Sequence, residues 1–184
     1  MFRFNTDYLF KGKHAQYVKD LTEPISISRD ESLKIFNRNL DVLVLAPIIG
    51  FLNKRLVEDE KDSLNNSLKV TINFSQLSTE RNKLLAIYRA IMLEDIEYEK
   101  KYEKRVEKAF KFNDFPSDEK DLEHFERYIL GGVEILREQI IGNSKNIEDY
   151  ILNLVTFISE FKAENIELDE LDELEEIEEL EIEE

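Results

Sequence analysis

Two histidines, His14 and His124, and no cysteine limit the chemistry open to this 184-residue chain. Without cysteine there is no disulfide, thiolate zinc site, iron–sulfur cluster or cysteine nucleophile. Asp121 and His124 lie one helical turn apart, a spacing at which a carboxylate can orient an imidazole. General-base or metal chemistry there would need further ligands or an activated partner, and Glu119, Glu123 and Glu126 follow a surface pattern instead. Both histidines are therefore expected to be packed structural residues. Arg89 interrupts one apolar stretch and Asp41 opens another, so a structural Asp41–Arg89 ion pair is expected where burial requires charges to be paired.

No phosphate-binding glycine loop, dinucleotide fingerprint, zinc-protease histidine pair, nucleophile elbow or calcium-loop spacing occurs. The sequence thus assigns no catalytic, cofactor-binding or metal-ligating residue. An enzyme would have to gather its carboxylates from separate helices, and a metal-dependent hydrolase is the form left open.

The charged residues suggest binding instead. Lys+Arg number 25 and Asp+Glu 41, for a formal charge of −16 that repels nucleic-acid phosphate and anionic lipid at long range. Residues 164–184 hold 13 of the acids and no base, so the rest of the chain is close to balance at −3. In that tail Leu168, Leu171, Leu174, Ile177 and Leu180 recur every three residues, with acids such as Glu175 and Glu176 between them. A step of three residues falls about 60° short of a helical turn, so this stripe winds around a helix rather than marking one face. Like-charge repulsion adds to this, and a flexible segment is expected. These seven residues are the candidate protein-binding positions, the apolar ones docking while the carboxylates engage a basic surface. A plain solubilising terminus and mimicry of a nucleic-acid backbone are the competing readings.

The densest positive stretch is Lys100–Lys111. Lys101, Lys104, Arg105 and Lys108 are its candidate nucleic-acid contacts, flanked by Lys100 and Lys111. Glu99, Glu103 and Glu107 interleave with them, which favours a solvated helix laced by exposed ion pairs, each worth a few tenths of a kcal/mol.

Helices must position these groups. Residues 1–27 carry Phe2, Phe4, Tyr8, Phe10 and Tyr17 without a sustained period, predicting an extended arm or short strand with a short helix, its rings packed on the protein's own core. Ser28 and Glu31 have the spacing of a capping box and predict a helix starting there. It would run through Leu40–Leu52, apolar on every face, with a kink or break at Pro47 and with Gly50 relieving crowding. Residues 57–70 read as a polar loop, and Lys69–Phe74 as a short strand whose partner would be Phe2–Phe4. A long helical pattern from Thr79 to Phe112 is expected to bend near Glu94–Ile96. After a turn capped by Ser117, Leu122, Phe125, Ile129, Val133, Leu136 and Ile140 mark a packed seam. Gly131 and Gly132 interrupt it at a cost of about 1 kcal/mol each, which close approach by another backbone would offset. Gly142-Asn143-Ser144 closes that helix, and Ile147, Ile151, Leu154, Ile158 and Phe161 stripe a last one.

The expected fold is all-α, an irregular or orthogonal bundle of four to five helices with room for a short N-terminal β element and an acidic C-terminal tail. Its divisions are an N-terminal aromatic arm (1–27), a helical bundle domain (28–163) and the flexible tail (164–184). Leu40–Leu52 is shorter than the ~20 residues of a membrane span, and the N-terminus lacks the apolar core of a signal peptide. A cytoplasmic protein without membrane contact is expected. The expected function is a non-catalytic interaction protein, an adaptor or accessory subunit of a larger bacterial complex, such as an antiviral or nucleic-acid-processing assembly, that meets a basic protein partner. Self-association is also compatible with the apolar content. The alternative is a nucleic-acid-directed protein, binding through Lys100–Lys111 or inhibiting a DNA-binding protein by acidic mimicry.

Overall fold

A computed structural model describes residues 1–26, 32–58, 68–112, 114–144 and 146–163. The elements are β1 (Tyr8–Lys11), α1 (Gly12–Thr22), β2 (Ile25–Ser26), β3 (Ser32–Leu33), α2 (Asn39–Leu52), β4 (Lys69–Ile72), α3 (Phe74–Thr79), α4 (Arg81–Glu94), α5 (Tyr102–Phe110) and α6 (Glu119–Leu136). A π-helical turn over Arg137–Ile141 and a last helix, α7 (147–163), follow. The chain is mostly helical, an irregular all-α bundle with a short N-terminal β element, as its sequence predicts. It forms two compact units, Met1–Glu138 and Gln139–Glu184. Among the described residues no helix is long and apolar enough to cross a membrane.

The first unit is built on α2 against α6. A Cβ added to Gly132 would lie 1.8 Å from the Ala46 carbonyl oxygen, one on Gly131 1.9 Å from that of Arg55, and one on Gly50 2.1 Å from that of Tyr128. The glycines are there because backbone meets backbone along this seam. Leu40, Val42, Leu43, Ala46, Pro47 and Ile49 are buried from α2, and Leu122, Phe125, Ile129, Val133 and Leu136 from α6.

Of the kink or break expected at Pro47, the break does not occur: the helix runs through it. Proline in a helix interior costs about 3 kcal/mol. Each large side chain buried beside it returns about 1.5–3 kcal/mol, and α2 buries several. The helix also does not begin at Ser28. Residues 27–31 lie outside the described set, β3 occupies Ser32–Leu33, and α2 starts at Asn39, where the Asp41 carboxylate accepts from the Arg38 amide and guanidinium.

The N-terminal rings enter this core. Phe2, Phe4, Tyr8 and Phe10 are buried, and Phe2, Phe4 and Tyr88 all meet Phe125 edge-on or stacked within 5.4–6.2 Å. Because Phe2 and Phe4 are used this way, the partner of β4 is β1 instead, antiparallel, with Tyr8 opposite Ile72 and Phe10 opposite Val70. All four of those side chains point inward, which is the alternation that defines the register. α6 is capped by Asp118 rather than Ser117. The Asp118 carboxylate accepts from the amides of Lys120 (2.9 Å) and Asp121 (3.2 Å).

In the second unit, Gly142 (φ 51°) ends the preceding helix in the left-handed region. Asn146 accepts from the Asp149 amide at 2.9 Å to start α7, and Asn153 donates to the Ile140 carbonyl (3.3 Å) and to Ser144 Oγ (3.0 Å).

Candidate functional site

The break between α4 and α5 is an organising point for polar groups of the first unit. Asp95 ends α4, its amide still donating to Ile91 O at 2.9 Å. Its Oδ1 accepts from the Tyr98 amide at 3.0 Å, closing the turn, and its Oδ2 accepts from His124 Nε2 and from the Tyr128 hydroxyl, both at 2.7 Å. Burial by itself would raise the Asp95 pKa. The His124 and Tyr128 hydrogen bonds and the Tyr98 amide outweigh it and hold the carboxyl below its ordinary value. Burial pushes the His124 imidazole below its ordinary value against the pull of Asp95, so at neutral pH it is an uncharged N–H donor.

Tyr98 lies flat on His124, ring centroids 3.7 Å apart and 8° from parallel, and Tyr128 meets its edge. The Tyr98 hydroxyl donates to Asp121 Oδ1 at 2.7 Å, and Lys108 Nζ donates to the same oxygen. Burial first, then these carboxylates, raises the Tyr98 and Tyr128 phenols far above their usual range. The network ties the end of α4, the start of the loop to α5, α5 itself and α6 together.

The Asp121–His124 pairing suggested by spacing is not formed. Asp121 is taken by Tyr98 and Lys108, and His124 reaches across to Asp95, 29 residues away in the chain. Chemically this is a carboxylate–imidazole pair with its ring covered and its Nε2 occupied. A surface cavity of about 380 Å³ beside it is lined by Tyr88, Lys104, Lys108, Lys111 and Asp121, but not by Asp95 or His124. Among the described residues no group of three or more His, Asp or Glu could hold a metal ion.

A second buried carboxylate, Glu134 of α6, sits two residues past the glycine pair. Its Oε1 meets Lys13 Nζ (3.1 Å) and His14 Nε2 (3.3 Å), and its Oε2 accepts from Arg55 at 2.7 Å. Burial opposes ionisation here too, but Arg55 and Lys13 prevail and the Glu134 pKa is lowered. The Asp41–Arg89 pair is absent. Asp41 lies in the first turn of α2, where the helix dipole favours a carboxylate, and binds Arg38. The Arg89 guanidinium instead lies 5.3 Å and 5.5 Å from the rings of Phe110 and Phe112.

Of the four candidate nucleic-acid contacts, Lys104 and Lys108 line one surface cavity together with Lys111. Lys101 and Lys104 are exposed. Arg105 turns back onto the end of α4, donating to the carbonyls of Leu93 (2.6 Å), Glu99 (3.2 Å) and Lys100 (3.3 Å), and Lys108 is tied to Asp121. The candidate protein-binding residues Leu168, Leu171, Leu174, Glu175, Glu176, Ile177 and Leu180 lie outside the described residues.

In the second unit, one apolar side of α7, which takes in part of the expected stripe, is not packed away. Ile151 is 50 % exposed, Leu152 65 %, Val155 54 % and Ile158 56 %, whereas Tyr150, Leu154 and Phe157 are half-buried. This face, Asp95 and the Glu134 cluster were not singled out from the sequence. The signal for Asp95 was its position at the helix break, three residues before Tyr98, which suits an Asx turn. For α7 it was Leu152 and Val155, apolar residues lying outside the single stripe.

Comparison with protein-family models, with curated proteins and with solved structures finds no match for this chain.

Proposed function

We propose that this chain is a non-catalytic helical interaction protein, an adaptor or accessory subunit that engages a larger protein partner. The supporting observation is the outer face of α7, where Ile151, Leu152, Val155 and Ile158 are each at least half exposed. Single apolar residues on a surface are ordinary, but a row of them along one helix suits the helix-in-groove mode of recognition. Fully covering such side chains is worth roughly 1.5–3 kcal/mol each, part of which offsets the cost of association. The polar clusters around Asp95 and Glu134 are engaged with one another and read as cross-links of the fold. An antiviral or nucleic-acid-processing complex in a bacterium is a setting that would provide a large basic partner.

The nucleic-acid alternative has less support. Arg105 and Lys108 serve backbone carbonyls and Asp121, and acidic mimicry would rest on residues 164–184. Affinity capture with the full chain from its native host, after nuclease treatment, tests the reading. A protein is expected to be retained and to be lost with the Ile151→Asp/Val155→Asp double variant while the melting of the first unit is unchanged. Retention that disappears with nuclease, or capture insensitive to both substitutions, counts against it.

A further inference from the structure

We propose that α7 pairs with the α7 of a second copy of this chain, antiparallel and centred on Val155. At about 100° per residue, the outward side of α7 is symmetric around that position. With Val155 as the zero of angle, Lys162 and Glu148 fall at about −20° and +20°, Ile151 and Ser159 at about −40° and +40°, and Ile158 and Leu152 at about −60° and +60°. All of these residues are exposed. Along the middle of the strip, Glu148, Ile151, Val155, Ile158 and Lys162 alternate steps of three and four, the spacing by which one helix packs along another. The opposite side is already used: Asn153 donates to the Ile140 carbonyl and Ser144 Oγ, and Tyr150, Leu154 and Phe157 are half-buried.

Charge on the strip selects both the occupant and its direction. Glu148 and Lys162 stand at opposite ends, equally far along the chain from Val155. In an antiparallel pair each Glu148 meets the Lys162 of the other copy, and each Leu152 meets Ile158. A parallel pair would set like charges against each other at both ends, and a partner helix of a single sign would do so at one end. The two ion pairs are exposed and fix direction more than strength, while the aliphatic side chains supply the drive. Gln139–Glu184 hold 16 acids against Lys145 and Lys162, so −14 of the chain's −16 lies in this unit and opposes association. Physiological salt screens charges more than ~8 Å apart, which leaves the groups on the strip to decide. A contact of one helix face is small, so a weak dimer with Kd on the order of 10–100 µM is expected, and below that concentration the strip is in water. Self-pairing goes beyond the adaptor reading and does not depend on it; a host partner and a second copy would compete for the same side of α7.

Sedimentation equilibrium of the full chain, from about 5 µM to about 500 µM at about 150 mM salt, reads the pairing. A monomer–dimer equilibrium is expected. Ile151→Ser/Val155→Ser should weaken it at least about tenfold. Glu148→Lys and Lys162→Glu, each alone, place like charges at both ends and should weaken it about threefold to tenfold. The double variant Glu148→Lys/Lys162→Glu exchanges the two ends and should restore it, which also shows that neither substitution acts by unfolding α7. A chain that stays monomeric throughout overturns the proposal, and so does a dimer unaffected by the serine pair, since it would form elsewhere. A dimer indifferent to the single charge reversals, or not recovered in the double variant, overturns it as well, because the antiparallel register would be wrong. Host-protein capture through α7 alongside any of those results leaves the adaptor reading standing and this one refuted. The expected pattern of weakening and rescue, without a captured host protein, refutes the adaptor reading instead.

Discussion

Met1–Glu138 and Gln139–Glu184 handle polar and apolar groups in opposite ways. The first unit is nearly neutral at −2, closes its glycine seam backbone to backbone, and buries Asp95, His124 and Glu134 only in the company of partners. The second carries −14 and leaves large aliphatic side chains of α7 in water. A buried charge is tolerable when every partner is present, and an exposed apolar row is tolerable when high net charge opposes aggregation. The difference separates a part whose buried charges are paired from a part whose apolar side chains meet water.

The contrast can be broken most severely at Gly132. Gly132→Leu drives a side chain into the Ala46 carbonyl, backbone that cannot step aside, and is expected to cost about 3 kcal/mol or more in urea unfolding. Next comes Asp95→Ala, which strands the His124 and Tyr128 donors and the Tyr98 amide. A loss of about 2–3 kcal/mol is expected, with a smaller loss for Tyr128→Phe.

The pH dependence follows from the same cluster. Because His124 in the fold titrates below its ordinary 6.5, the unfolded chain takes up that proton first as the solution is acidified. Stability that is intact above pH 6.5 should decline below it, towards the imidazole's folded pKa. Asp95 and Glu134, lowered from 3.8 and 4.5, add a further loss only in more acidic solution. Melting temperatures between pH 7.5 and 5 should show the first slope, and His124→Gln should flatten most of it.

Arg105→Ala, which uncovers three carbonyls at the α4–α5 junction, is expected to cost about 1–2 kcal/mol, whereas Lys101→Ala stays within about 0.5 kcal/mol. The smallest effect belongs to the second unit. Ile151→Ser should leave thermal unfolding within about 0.5 kcal/mol, and a larger loss would show that this face is already covered.

Local pattern carried much of the fold. The break near Asp95, the strand at Lys69–Ile72, the seam of α6 and the reason for Gly131 and Gly132 follow from spacing and from the cost of glycine in a helix. Where local signals failed, tertiary packing outweighed them. Pro47 stays helical because α2 is enclosed, and the Ser28–Glu31 box does not start α2, which is capped ten residues later by Arg38 and Asp41. The candidate site was less legible. Nothing in the neighbourhood of Asp95 names His124, and which carboxylate meets which cation is decided by helices distant in sequence. Exposure of α7 was hidden for a related reason: a stripe records that a face is apolar, not what covers it.

The α2–α6 seam also bears on how the molecule is made. Its two halves are far apart in the chain, as Arg55 and Glu138 show with a separation of 83 residues. During synthesis an all-round greasy helix must wait for its counterpart to leave the ribosome, and closing so long a loop slows folding. In that interval the unmatched segment is the part of the nascent chain most exposed to aggregation, so a holding chaperone should recognise Leu40–Leu52 before any other stretch.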